Sequence, residues 1–325
     1  MAHGITETDG AVYALKPAWH GLGVVLDHAP NSAEALAAAG LGWTVRKAPL
    51  FRADGTESDT AVETVREDNG AILGSVSPDY GLVQNVDAFA SLDGMLPDGV
   101  LKYESAFSMF GGRQVCIVAR MAGELRIVDG DSIRPYLMLR TSHDGSTGLA
   151  IRPTSVRPVC ANTVALALSQ RSGGLAFTLR HTSGVGDRLA AVVDVIRKAG
   201  EAFAVHAEAA RAMVRVRLTD ATFDDFLADV MPLPEPMTAD NRENPAFGRA
   251  IAARRKVAGL FREGPANNLP GIAGTAWAAF NAVTEYVDHV AEYRGDAESA
   301  YRSKSEGAGA KVKAAAWSAA LALAK

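Results

Sequence analysis

Ile133-Arg134-Pro135-Tyr136-Leu137-Met138-Leu139-Arg140-Thr141 alternates at a period of two. Arg134, Tyr136, Met138 and Arg140 fall on one side, and Leu137 and Leu139 on the other. Successive side chains of a strand point to opposite faces, so this spacing predicts a strand with one apolar face. Its neighbours read the same way. Leu101–Phe110 and Gln114–Met121 flank Gly111-Gly112, a pair suited to a two-residue hairpin whose residues need positive φ. Leu125–Val128 and Leu149–Val156 extend the run, with Arg152 and Thr154 on one face. Leu175–Thr182 places Thr178, Arg180 and Thr182 opposite Leu175, Phe177 and Leu179. Upstream, Trp43–Phe51, Val62–Arg66 and Ala71–Val76 are expected strands, the last two joined by the turn chemistry of Asp68-Asn69-Gly70. The first forty residues read as loop-like apart from a short helix capped at Asn31-Ser32, and Asp87–Met95 and Cys160–Gln170 read as short helices.

From Asp187 the period changes. Leu189, Val192, Val193, Ile196, Gly200, Phe203 and Ala207 form one stripe at spacings of three and four, which predicts a long packing helix. Pro232, Pro234 and Pro236 interrupt it with a linker, and helices are expected again at about 241–262, 274–293 and 308–324. The expected class is therefore α+β: an antiparallel strand-rich body over 1–183 and a packing helix with a short helix over 184–230. A Pro-rich linker over 231–240 and a helical region over 241–325 complete the organisation.

Composition removes several classes. With 325 residues, 48% of them hydrophobic and 22% charged, the chain is neither fibrous nor disordered. No apolar run approaches the roughly 18 residues that span a bilayer. The opening MAHGITETDG is polar and acidic, so no leader is expected. The phosphate loop, the paired-cysteine motif, HExxH and GxSxG are all missing, so neither a cofactor nor a metal is expected. His3, His20, His28, His143, His181, His206 and His289 are dispersed, and Cys116 and Cys160 are too few for a sulfur framework.

The net charge of −4 hides an asymmetry. Residues 1–101 carry −9, residues 102–198 carry +6 and residues 199–325 carry −1. Between Lys102 and Lys198 every basic residue is an arginine, whose planar fork fits phosphate and stacks on flat rings. An arginine-and-aromatic sheet face is how sequence-tolerant single-strand binders combine phosphate contacts with base stacking. The competing reading is an amphipathic sheet with a solvated outer face and arginines paired to acids from elsewhere.

Other constellations have two readings each. Ser142-His143-Asp144-Gly145-Ser146-Thr147-Gly148 is either a phosphate- or nucleophile-bearing loop or a polar hairpin turn. Cys160, at an expected helix start, is either an activated thiolate or a buried structural cysteine. In Thr275–His289, the apolar spacing of Trp277, Phe280, Val283 and Val287 marks a core helix, beside which Asn281, Glu285, Asp288 and His289 offer a polar face.

Taken together, Pro17–Gly23, Tyr80–Asn85, Gly111–Arg113, Ser142–Ser146, Arg157–Thr163, Arg180–Thr182 and Thr275–His289 resemble a bacterial phage/plasmid-related family of unknown function, in matching order over residues 13–293. Ala161 departs from it, where a larger polar residue is usual. The resemblance implies a mobile-element origin, a bacterial cytoplasmic setting and no transferable catalytic residues. At fold level it implies a distant likeness to single-strand annealing recombinases. The expected function is non-enzymatic single-stranded DNA binding or annealing by a homo-oligomer, with no membrane partner. Arg113, Arg134, Arg140, Arg152, Arg157, Arg180 and His181 would contact the nucleic acid, and Tyr136 would offer the stacking face. The alternatives are an enzyme built on His143, Ser146, Cys160 and His181, or a protein-binding host-takeover factor working through its helical C-terminal third.

Overall fold

A computed structural model describes residues 9–15, 23–90, 93, 99–156, 177–179, 192–237, 243–295, 297–305 and 307–325. The N-terminal strands are β1 (Ala11–Ala14), β2 (Val24–Leu26), β3 (Val45–Phe51), β4 (Glu57–Arg66) and β5 (Ile72–Val76), with α1 (Ser32–Ala38) between β2 and β3. After α2 (Asn85–Ala90) come β6 (Leu101–Met109), β7 (Gln114–Met121), β8 (Leu125–Val128), β9 (Asp131–Ser142), β10 (Leu149–Val156) and β11 (Phe177–Leu179). The helical part holds α3 (Val192–Arg215), α4 (Asp220–Val230), α5 (Pro245–Glu263), α6 (Ala276–Glu285), α7 (Ala297–Ser305) and α8 (Ala308–Leu323). A single π turn, Tyr286–Val290, extends α6.

One sheet has the order β11-β10-β9-β7-β6-β1-β2, with β8 also paired to β9, and a second sheet has the order β3-β4-β5. Pairing is antiparallel except between β1 and β2. The chain is α+β, as its periodicities predict. β9 lies inside the large sheet between β10 and β7, and register places Leu139 opposite Ile117 on one side and Ile151 on the other. Leu137, Leu139, Ile117, Leu149 and Ile151 form one core with Phe89 of α2 and with Ala199 and Phe203 of α3. Further along α3, Ala207, Ala210 and Met213 join a second core built from α4, α5, α6 and α8. One helix therefore carries apolar contacts for both halves. Trp277 Nε1 adds a buried hydrogen bond between them, donated to Asp131 Oδ2 at 3.0 Å.

Several expectations need correction. The N-terminal segment is not loop-like throughout, since β1 and β2 pair in parallel and β1 joins β6. Strands of four and three residues are too short to show a period. The link between β6 and β7 is longer than two residues: Met109 pairs with Gln114, leaving Phe110, Gly111, Gly112 and Arg113 as the loop. Phe110, Gly111 and Gly112 have φ of 58°, 70° and 90°, and only the glycines take that region without a Cβ penalty. Helix α7 has no counterpart in the sequence reading. The expected Asn69-Gly70 turn forms, with Gly70 at φ 73°. The expected helix over Cys160–Gln170 and most of the Leu175–Thr182 strand lie outside the described residues.

Candidate nucleic-acid interface

The face of β9 that carries Arg134, Tyr136 and Arg140 does not meet solvent as an open platform. Helix α7 lies over its central part, and Tyr301 packs with Phe107, Met109, Cys116, Tyr136 and Met138. Tyr136 is 4% exposed and donates its hydroxyl to Glu104 Oε1 at 2.7 Å. Desolvation raises its phenol pKa above the usual value. Arg140 is 2% exposed, its Nε donates to Gln114 Oε1 at 3.1 Å, and its guanidinium lies 5.8 Å from the Tyr301 ring centre. Tyr136 therefore offers no stacking face to a base, and Arg140 none of its guanidinium to a phosphate.

The other described arginines of this region face carboxylates. Arg113 pairs with Glu298 of α7 and lies 4.0 Å from Asp144. Arg120 pairs with Glu104 at 3.4 Å, Arg126 with Asp129, and Arg134 with Glu124 at 3.7 Å. Arg152 lies on β10 opposite Met138, but nothing is described of its side chain. Arg157, Arg180 and His181 lie outside the described residues. The charge count over residues 102–198 is real, yet Arg113, Arg120, Arg126 and Arg134 are each set against a carboxylate.

The Ser142–Gly148 loop is a seam between the two sheets. Tyr80 donates its hydroxyl to the Ser142 carbonyl at 2.6 Å. His143 is fully buried, with Nε2 3.0 Å from Asn85 Oδ1, its ring edge-on to Trp43 and its backbone N–H donated to the Arg113 carbonyl. Gly74 of β5 lets the loop approach, because a Cβ there would stand 2.7 Å from Asp144 Cα. Tyr80–Asn85, Gly111–Arg113 and Ser142–Ser146, three blocks scattered in sequence, thus meet at one junction. The enzyme reading gains no cleft from it. The Ser146 hydroxyl accepts from Gln114 Nε2 at 2.9 Å, while Cys160 and His181 lie outside the described residues.

At the π turn, Asp288 joins two buried lysines. Lys313 donates to Asp288 Oδ1 at 2.8 Å, and Lys304 donates to the Asp288 carbonyl at 2.6 Å beneath the Tyr293 ring. Burial lowers both lysine pKa values, against the opposing pull of Asp288. Asn281 and Glu285 turn elsewhere, donating to the Trp277 carbonyl at 2.7 Å and accepting from Asn267 at 3.0 Å. The predicted polar face is therefore divided, and the Asp288 group is a buried clamp between the π turn, α7 and α8.

Helix α5 carries a run of exposed positive charge. Its sequence, PAFGRAIAARRKVAGLFRE, is capped by Asn244 and opens on Pro245, whose missing N–H costs nothing at that position. Val257 and Phe261 anchor its second half in the core, whereas no residue from Pro245 to Lys256 is buried. Arg249, Arg255, Lys256 and Arg262 are exposed, and the small residues Gly248, Ala252 and Gly259 lie exposed between them. Among the described residues, Arg262 makes an ion pair, with Asp220 at 2.9 Å, and none is formed by Arg249, Arg255 or Lys256. Arg254 instead turns inward, donating to the Met231 carbonyl at 2.8 Å. Sequence reasoning missed this stripe because the acids of α4 cancel it in any count over the C-terminal third.

The fold defines a class: an α+β protein whose antiparallel sheet is clasped by a long helix and a C-terminal helical layer. Within that class the chain belongs to the family described as Domain of unknown function (DUF932), which it matches over residues 72–315. No curated protein and no solved structure matches it. Among the described residues no helix is long and apolar enough to cross a membrane, and no group of three or more His, Cys, Asp or Glu could hold a metal ion.

Proposed function

We propose that this protein is a non-enzymatic DNA-binding protein of phage or plasmid metabolism that engages nucleic acid through the basic face of α5. The carrying observation is the exposed run of Arg249, Arg255, Lys256 and Arg262 with small residues between them. Guanidinium and ammonium groups on a helix face bring phosphates close, and glycine and alanine leave the backbone unobstructed for that approach. The resemblance of the sequence blocks to a mobile-element family supports the biological setting. Arg152, Arg157 and Arg180 remain candidate further contacts, whereas Tyr136 and Arg140 do not serve while α7 covers them.

The mechanism is stoichiometric and electrostatic. With Arg262 held by Asp220, a site that neutralises about three phosphates on a single strand has a log–log salt slope near −2, from about 0.7 per contact. The test is fluorescence anisotropy of a labelled single-stranded oligonucleotide at low and high salt. Arg255→Glu/Lys256→Glu lowers affinity by about tenfold or more if each lost contact is worth about 1 kcal/mol. Binding that ignores salt, or that survives this double substitution, overturns the reading.

A further inference from the structure

Helix α4, packed beside α5 through Phe223 stacked on Phe261 at 4.0 Å, carries the opposite charge. Phe223, Phe226, Leu227 and Val230 form its buried face, and Asp220, Asp224, Asp225 and Asp229 are all exposed. Among the described residues, Asp220 is paired, with Arg262, and no ion pair reaches Asp224, Asp225 or Asp229. The sequence of this helix works against its isolation. Asp220 with Asp224 and Asp225 with Asp229 are like charges at i,i+4, a spacing at which they repel on one helix. Asp229 also stands in the last turn, where the helix dipole is negative. On the neighbouring α5, Ala246, Phe247, Ala250 and Ile251 are half-buried on one side while Gly248, Arg249, Ala252, Arg255 and Lys256 are exposed on the other, and exposed Met237 lies ahead of the cap.

We infer that two copies of this chain associate about a two-fold axis, α4 of each lying on α5 of the other. A two-fold interface must be self-complementary, and an acidic helix beside a basic helix on one surface meets that requirement without any further element. The lengths agree. At 1.5 Å per residue, Asp220 to Asp229 spans about 13 Å and Arg249 to Arg262 about 20 Å, so the acids fit within the basic stripe. Association relieves the like-charge pairs on α4 and covers the exposed basic face of α5. Because the same cations are used, the paired state competes with nucleic acid. That consequence rests on the DNA-binding reading above, whereas the pairing itself does not.

The experiment uses the full chain in sedimentation velocity at low and high salt, with two double variants at exposed helix positions. Arg255→Glu/Lys256→Glu makes both helices acidic, and Asp224→Lys/Asp225→Lys makes both basic. Wild type is expected to be a dimer at low salt and a monomer at high salt. Each variant alone is expected to be a monomer with wild-type circular dichroism, and an equimolar mixture of the two is expected to sediment as a dimer again. In that mixture both α4–α5 contacts regain opposite signs. A wild type that is monomeric at low salt, a dimer that survives either variant, or a mixture that stays monomeric overturns the inference. A labelled oligonucleotide added to the wild-type dimer separates the two claims. Release of monomers bound to it supports both. A dimer that obeys the charge exchange but ignores the oligonucleotide defeats the DNA reading and leaves the pairing standing. A chain that is monomeric at low salt yet binds through Arg255 and Lys256 does the reverse.

Discussion

Asp288 shows what a single buried charge does in this fold. Its carboxylate is held by Lys313, and Lys304 takes its carbonyl, so two ammonium groups share one counter-charge in the interior. Removing one member of such a pair leaves uncompensated charge and typically costs about 3–5 kcal/mol. Asp288→Asn is therefore expected to lower the urea midpoint sharply. Adding Lys313→Met to it is expected to raise the midpoint again, and a double variant less stable than the single one counts against the clamp. Gly74 is a second such residue. Gly74→Ala places a Cβ 2.7 Å from the Asp144 backbone, and overpacking of that kind costs about 1–3 kcal/mol. Its readout is the same denaturation curve, and an unchanged midpoint would mean that the loop yields freely. A third is His206, stacked on Trp317 at 4.4 Å. Burial lowers its pKa to about 4. Between pH 6.5 and 4 the unfolded chain takes up a proton that the folded chain refuses, so stability falls as pH falls through that window. His206→Phe keeps a ring against Trp317 and is expected to flatten this part of the profile of Tm against pH. None of these residue roles was legible beforehand, since Asp288 and His289 look alike in sequence and only the fold buries Asp288 between two lysines.

Elements were far more legible than residues. β6, β7, β8, β9 and β10 begin and end close to where alternation puts them, because each has one face in a common core that enforces the period of two. The sequence reading stopped short at the opposite face of β9. Tyr136 and Met138 serve equally well in a solvated aromatic face or beneath a covering helix, and nothing local decides between them. The covering helix gave no warning, because AESAYRSKS has one large apolar residue, Tyr301, and no stripe. The basic face of α5 was equally hidden, by the neighbouring aspartates of α4. Its exposed glycines offer a test at this scale. A Cβ at Gly248 or Gly259 meets nothing within 4 Å, and glycine in a helix interior costs about 0.8–1 kcal/mol relative to alanine. Gly248→Ala and Gly259→Ala are each expected to stabilise the chain by about that amount in denaturation. If they do so while weakening oligonucleotide binding, the glycines are kept for close approach to a phosphate chain. If binding is unchanged, close backbone approach is no part of the contact.

At the scale of the molecule, the proline-marked boundary does not separate the cores. Ala199 and Phe203 of α3 pack with the sheet, and Ala207, Ala210 and Met213 of the same helix pack with α4, α5, α6 and α8. A rigid helix shared by two apolar clusters couples their unfolding, since neither loses its contacts without exposing the other's side of α3. Trp277 strengthens that coupling through its hydrogen bond to Asp131. The chain is therefore expected to unfold in one transition, with tryptophan fluorescence and far-ultraviolet circular dichroism giving one midpoint. Trp277→Phe removes a buried bond to a charged acceptor, a loss of about 1.5–3 kcal/mol. It is expected to move both probes together, because sheet and helices share the penalty. Two separated midpoints in the wild type, or a shift confined to one probe in Trp277→Phe, would show that the halves fold independently and that α3 belongs energetically to only one of them.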